Sequence, residues 1–181
     1  MTSINAVKRK DYQTELSIKN NIYKLTHENG IVRKNAREQL VAIGEPAIDY
    51  LIEFVNHPSK TARWEAVKAL GEINNAETAP FLVYALEDTN PDVRWLAAEG
   101  LAKMGEKGLK EVIENLIVEP DSVFLRKGAH HVLSRMAEEY DSVEFKELIQ
   151  ILDAPDAELK IILHGHPYLR KIIGKLREYE S

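Results

Sequence analysis

The chain has 181 residues, 44% of them apolar and 29% charged, which suits a soluble globular protein able to bury a substantial core. It contains no cysteine, which excludes disulfides, cysteine zinc sites and thiol nucleophiles and fits a reducing compartment, so the cytoplasm is the expected location. The net charge of −5 divides into +2 over residues 1–30, −9 over 31–156 and +2 over 157–181; most of the body repels a phosphate backbone, and a basic or neutral protein is the easier partner.

A first amphipathic helix is expected over residues 12–27, carrying Tyr12, Leu16, Ile22, Tyr23 and Leu25. No run in the chain reaches the roughly 18 apolar residues of a membrane span, and residues 1–10 have no signal-peptide core. Four related stretches follow. They read Val32-Arg33-Lys34-Asn35-Ala36, Ala62-Arg63-Trp64-Glu65-Ala66, Val93-Arg94-Trp95-Leu96-Ala97 and Leu125-Arg126-Lys127-Gly128-Ala129. Each continues to a leucine (Leu40, Leu70, Leu101, Leu133) and then Ile43, Ile73, Met104 or Met136. The arginines step by 30, 31 and 32 residues, a period that marks a stacked repeat array.

Every copy has a helical period. At 100° per residue, Ala62, Ala66, Ala69, Leu70 and Ile73 fall within about 60° of one line, as do Val93, Ala97, Gly100, Leu101 and Met104 in the next copy. Gly44, Asn74 and Gly105 stand where a left-handed C-cap is wanted. A second amphipathic series lies between the copies, centred on Leu51, Leu82, Ile113 and Leu148, with Pro46 and Pro80 in first turns. Residues 56–59, 88–92 and 119–122 are breakers, and no segment alternates as a strand would. Near the end, a short helix over 155–163 is expected to break at His164-Gly165-His166-Pro167 before a final helix over 168–179. The predicted fold is all-α, a superhelix of about five helix pairs. Residues 1–181 form one repeat domain: a capping helix in 1–29, repeats in 30–153 and a degenerate repeat or cap in 154–181.

The unit with proline in its first helix and Val-Arg…Ala…Leu…Met-Gly in its second resembles the HEAT repeat, and more closely the short variety named after the phycobilisome bilin lyases. Residues 78–105 carry the best match, through Ala79-Pro80-Phe81-Leu82, Pro91-Asp92-Val93-Arg94 and Met104-Gly105. The resemblance implies that the Arg-bearing helices line a concave face. It also brings alternatives to a plain binding role. A bilin-lyase-related accessory protein would bind a tetrapyrrole or a phycobiliprotein. A HEAT-like alkylpurine DNA glycosylase would use tryptophans, an aspartate and basic residues, against which the acidic body argues. HEAT-like deoxyhypusine hydroxylases hold a di-iron site with repeated His-Glu pairs, and the only such pair in this chain is His27-Glu28.

Stacking leaves certain positions free. On the same wheel Trp64 lies at about 160°, Lys68 about 200°, Glu72 about 240° and Glu65 about 260°, all off the packing face. Trp95, Leu96, Glu99 and Lys103 form the corresponding set in the next repeat, and Lys34, Lys127 and His131 are the outer repeats' contribution. The two tryptophans of the chain thus share one site in adjacent repeats. Each indole either packs on a neighbouring helix end or loop, or faces a partner as a hot spot framed by charge. Arg33, Arg63, Arg94 and Arg126, at about 60°, border the core and suit bonds to loop carbonyls or acids between repeats. Consecutive His130 and His131 point apart, and His164 with His166 lacks a third ligand, so no metal is expected. No cofactor and no catalytic residue emerge. The reading is a non-catalytic adaptor that engages a protein segment on the concave face, with neither nucleic acid nor membrane as partner.

Overall fold

The structure, a computed structural model, describes residues 2–140 and 143–179. Among these are ten α-helices and no strand: α1 Thr2–Lys24, α2 Gly30–Ile43, α3 Ile48–Val55, α4 Lys60–Ile73, α5 Ala79–Ala85, α6 Pro91–Lys103, α7 Glu106–Val118, α8 Val123–Tyr140, α9 Val143–Asp153 and α10 Ala157–Tyr179. Local chemistry sets the boundaries. Asn29 caps α2 by accepting from the Ile31 amide, and Asn90 caps α6 by accepting from Asp92 and Val93. Pro91 fills the first position of α6, where no amide hydrogen is missed. The expected stops at Gly44, Asn74 and Gly105 all take positive φ (75°, 56° and 60°), and Asn74 is left-handed helical.

The helices form two rows. The four arginine-bearing helices stack in the order α2, α4, α6, α8, and α1, α3, α5 and α7 form a second row beside them. Packing is much closer within the arginine row than within the second row. Glycine explains the tightest step: a Cβ on Gly71 of α4 would lie 3.0 Å from the Gly100 Cα of α6, so the two backbones touch with no side chain between them. Leu40, Leu70, Leu101 and Leu133 are buried along the same row, and one apolar cluster runs from Ile18 to Ile161.

The end of the chain departs from the expected break at residues 164–167. Helix α10 runs through Pro167 without interruption. Proline removes the hydrogen bond to the carbonyl four residues back, on Leu163; that residue is 58% exposed, so water is within reach of the freed oxygen. The last pair also sits reversed. Helix α9 packs on α8, and α10 packs on α7 and continues the second row, crossing it where Gly165 meets Ile117. Among the described residues no helix is long and apolar enough to cross a membrane.

Candidate functional site: a groove along the arginine row

The repeated arginines staple the repeats together. Arg33 donates from Nη1 to the His27 and Glu28 carbonyls at 2.7 and 2.8 Å, and Arg63 likewise to His57 and Pro58 at 3.0 and 3.2 Å. Arg94 donates to the Asp88 carbonyl at 2.7 Å and lies 4.2 Å over the Phe124 ring. Arg63 also grips the Asp88 carboxylate in two parallel bonds, Nε to Oδ2 at 2.6 Å and Nη2 to Oδ1 at 2.9 Å. Burial pushes the Asp88 carboxyl up, but the Arg63 hydrogen bond, the Asn90 amide and the Arg63 and Arg94 charges outweigh it and hold the group below its ordinary value. The same hydrogen bond raises the Arg63 guanidinium against its own burial.

The tryptophan position one residue on behaves differently in the two repeats. Trp64 is half-buried, its ring flanked by the Arg37 guanidinium at 5.7 Å and the Lys68 ammonium at 4.8 Å. Trp95 is 55% exposed and meets the edge of His131 at 6.4 Å between ring centres. Among the described residues the helices at the two ends do not cover either ring: α1 packs on α2 and α3, and α10 on α7 and α9. Lys34 and Lys127, at the same position in the outer repeats, are exposed.

Two residues placed off the packing face by the wheel are in fact buried: Glu65, 4% exposed, and Leu96, 8% exposed. Both stand two residues after the repeat arginine, and Gly128 at the equivalent place is buried against Leu86. The wheel allows one packing direction, whereas a helix in mid-row has a neighbour on each side, and this position faces one of them. Glu65 accepts from Arg37 Nη1 at 2.7 Å and from Arg33 Nε at 3.3 Å, forming a bridge between α2 and α4. Arg37, itself buried, also reaches Glu72 at 3.4 Å. Sequence reasoning passed over Arg37. Its signal was a charge where the next two repeats have Val67 and Ala98, matched by Glu65 where the next repeat has Leu96.

Most of the remaining candidates line a groove, while Lys127 and His131 flank a smaller hollow on the other side of Trp95. One part, of about 600 Å³, has Trp95 and Leu96 in its floor, with Glu72, Glu99, Lys103 and Arg135 around it. A second part, of about 540 Å³, lies along Trp64, Lys34 and Lys60, and Lys68 is common to both. Glu99 is engaged by His131 Nε2 at 2.6 Å and by Arg135 at 3.6 Å. His130 meets Asp153 through Nε2 and Ser134 through Nδ1, each at 3.4 Å. His166 falls among residues whose side chains lie outside the description. Among the described residues, no group of three or more His, Asp or Glu is placed to hold a metal. His27 is exposed and uses Nδ1 to accept from the Asn29 amide, while its carbonyl and that of Glu28 receive Arg33. That pair is a loop anchor for the ladder, and the donor set does not fit a di-iron centre.

A repeated helix pair, a staple of arginines and an open groove on the tighter row define an α-helical repeat solenoid. The chain belongs to the HEAT-repeat family, whose model matches residues 18–87 and 79–163. Its fold is of the bilin-lyase kind: it resembles the complex of CpcE and CpcF of phycocyanin lyase from Nostoc sp. PCC7120, with a TM-score of 0.58 and 21% identity, over 83% of this chain and 98% of that one. In sequence it is similar to the deoxyhypusine hydroxylase of Saccharomyces cerevisiae, 31% identical over 107 residues, and to that of Candida glabrata, 28% identical over 108. These alignments take in 58% and 59% of the chain, which spans about a third of the length of each relative (33% and 34%). Relatives that are enzymes overturn the expectation of a non-catalytic adaptor, and with it the expectation that the chain is no enzyme. In the sequence the hydroxylases are set aside because His27-Glu28 is the only His-Glu pair in the chain.

Proposed function

We propose that the chain serves an enzyme that modifies a side chain on another protein, as the name of its hydroxylase relatives describes, and that the groove along the arginine row is where the substrate protein enters. One observation carries the reading. In a row packed closely enough for two glycine backbones to touch, an indole stands 55% exposed at the floor of an open groove, and among the described residues neither end helix covers it. A large apolar side chain kept at a solvated surface loses its hydrophobic stabilisation until something covers it. Leu96 and Met136 extend the floor beneath it, and paired charges form the rim, the layout of a protein interface. The cysteine-free sequence is in keeping with a cytoplasmic enzyme.

Hydroxylation requires a centre that activates oxygen. The described residues gather no donor set for one, so the groove is assigned to holding the substrate and no oxygen chemistry is assigned to its side chains. The test is binding to a protein that carries deoxyhypusine, followed by calorimetry with the whole chain. Wild type is expected to bind. Trp95→Ala is expected to weaken the complex about 30-fold, a hot-spot loss of roughly 2 kcal/mol, with an unchanged melting temperature because the ring is only lightly packed. No binding, or equal binding by the variant, overturns the assignment of the groove.

A further inference from the structure

We infer that the groove docks an acidic segment of the substrate protein, held by lysines that the fold leaves without a carboxylate. This rests on the groove being the substrate's seat and names the chemistry of what sits there. The linear charge of the chain points the other way, since residues 31–156 sum to −9. Folding separates that charge by face. Helices α2, α4, α6 and α8 together carry eleven Lys or Arg and seven Asp or Glu, a net of +4. The second-row helices α3, α5 and α7 carry two basic and five acidic residues, and the charges in the loops between α2 and α8 are all acidic.

The pairing within the row sharpens the imbalance. Glu38, Glu65, Glu72, Glu99 and Glu138 are each engaged by a lysine or arginine of the same row, leaving Asp92 and Glu139 as its carboxylates without one among the described residues. Lys60, Lys68, Lys103 and Lys127 have no ion pair among the described residues, and Lys68 is turned over the Trp64 ring where the two parts of the groove meet. These four lysines are spread over α4, α6 and α8. Helices in contact lie about 8–10 Å apart and an extended chain advances about 3.3 Å per residue, so a segment crossing the row meets a new helix roughly every third residue. Counted from the repeat arginine, Lys60 stands three residues before, Lys127 one after and Lys103 nine after, so acidic side chains of one segment reach them at different levels of the row while the residues between them cover Trp95. A nucleic acid is the poorer fit. Its phosphates are continuous and would be pressed against Glu72 and Glu99, which line the groove, and against the acidic loops at its margins.

Fluorescence anisotropy of three labelled probes on the whole protein at low salt tests this: a peptide with glutamate at every third position, its lysine counterpart, and a DNA duplex. The glutamate peptide is expected to bind, to weaken as salt rises, and to bind about tenfold less well to the triple variant Lys60→Gln, Lys103→Gln, Lys127→Gln. Among the described residues those lysines have no ion-pair partner to leave unpaired, so the variant keeps its helix content and melting temperature. A second-row control, Lys107→Gln, is expected to leave binding unchanged. Tighter binding of the lysine peptide or of DNA overturns the inference, as does an unaltered affinity in the triple variant. Should the deoxyhypusine-bearing protein bind while the glutamate peptide does not, the groove reading stands and this one falls; if neither binds, both fall.

Discussion

Asp88 joins three parts of the backbone through one side chain: it fixes Arg63 from the preceding repeat, accepts from Asn90 at the start of α6, and lends its carbonyl to Arg94. Because its carboxyl is held below the ordinary value in the folded chain, its contribution to stability is complete above the unfolded value of about 3.9 and disappears as pH falls through the lower folded value. Asp88→Asn is therefore expected to cost about 1.5–3 kcal/mol at neutral pH and to lose less than wild type on acidification, by chemical denaturation at a series of pH values. Parallel acid limbs in the two proteins would refute the role. Glu65 makes a different case. Glu65→Leu leaves the buried Arg37 with only the longer bond to Glu72 and is expected to cost roughly 2–4 kcal/mol, whereas Glu65→Leu with Arg37→Val installs the apolar residues that the next repeats use and recovers most of that loss. A single variant as stable as wild type would show that the pair does not hold α2 to α4. The arginine ladder was legible in the sequence at Arg33, Arg63 and Arg94, which stand in step at the edge of a packing face and meet loop carbonyls, whereas Arg126 makes no such bond among the described residues. The Arg37–Glu65 bridge was not, because its two halves lie in different repeats and each looks like surface charge on a wheel drawn for one helix alone.

Helices were the most readable level. Period, caps and breakers located both rows, and Gly44, Asn74 and Gly105 stop their helices with the positive φ that their residue types suggested. The approach of α4 to α6 was legible only in half. Gly100 lies on the predicted packing face, but the fact that it meets a second glycine, Gly71, depends on the offset between repeats. A methyl on Gly71 would abut Gly100 Cα at 3.0 Å, and backbone cannot rotate away as a side chain does. Gly71→Ala is expected to cost about 1–3 kcal/mol by separating the two helices, seen as a lower denaturation midpoint. The same change at Gly174, where no atom lies within 4 Å, is expected to be close to neutral. A harmless Gly71→Ala would mean that the row can slide. The uninterrupted α10 was hidden for a related reason. Proline reads as a breaker when the next turn is unknown, and only the packing of α10 along α7 shows what holds the helix through it.

Charge and stability both change meaning at the scale of the whole molecule. A chain that is acidic overall presents a basic row because the period puts six of its nine arginines and, among the described residues, most of its unpaired lysines on one set of helices and leaves acid to the other set and the loops. Summing charge along the chain averages over the two rows and cannot show this. Stability follows the same one-dimensional logic, since each helix pair contacts only its neighbours and the free energy is a sum of unit and interface contributions. The closest interfaces are those between α4, α6 and α8, while the outer rim of α1 leaves Tyr12, Leu16 and Tyr23 exposed and α10 leaves Leu159, Ile162 and Leu163 exposed. Native-state hydrogen exchange is therefore expected to be slowest at Val67, Leu70, Ala97 and Leu101 and to quicken toward residues 11–24 and 157–165. Introducing Gly71→Ala should speed exchange in α4, α6 and their immediate neighbours and leave α9 and α10 at their own rates, because the strain has no contact by which to reach them except through α8 and α7. Uniform acceleration along the whole chain would show instead that the solenoid unfolds as one cooperative unit, and the groove would then be no more rigid than its ends.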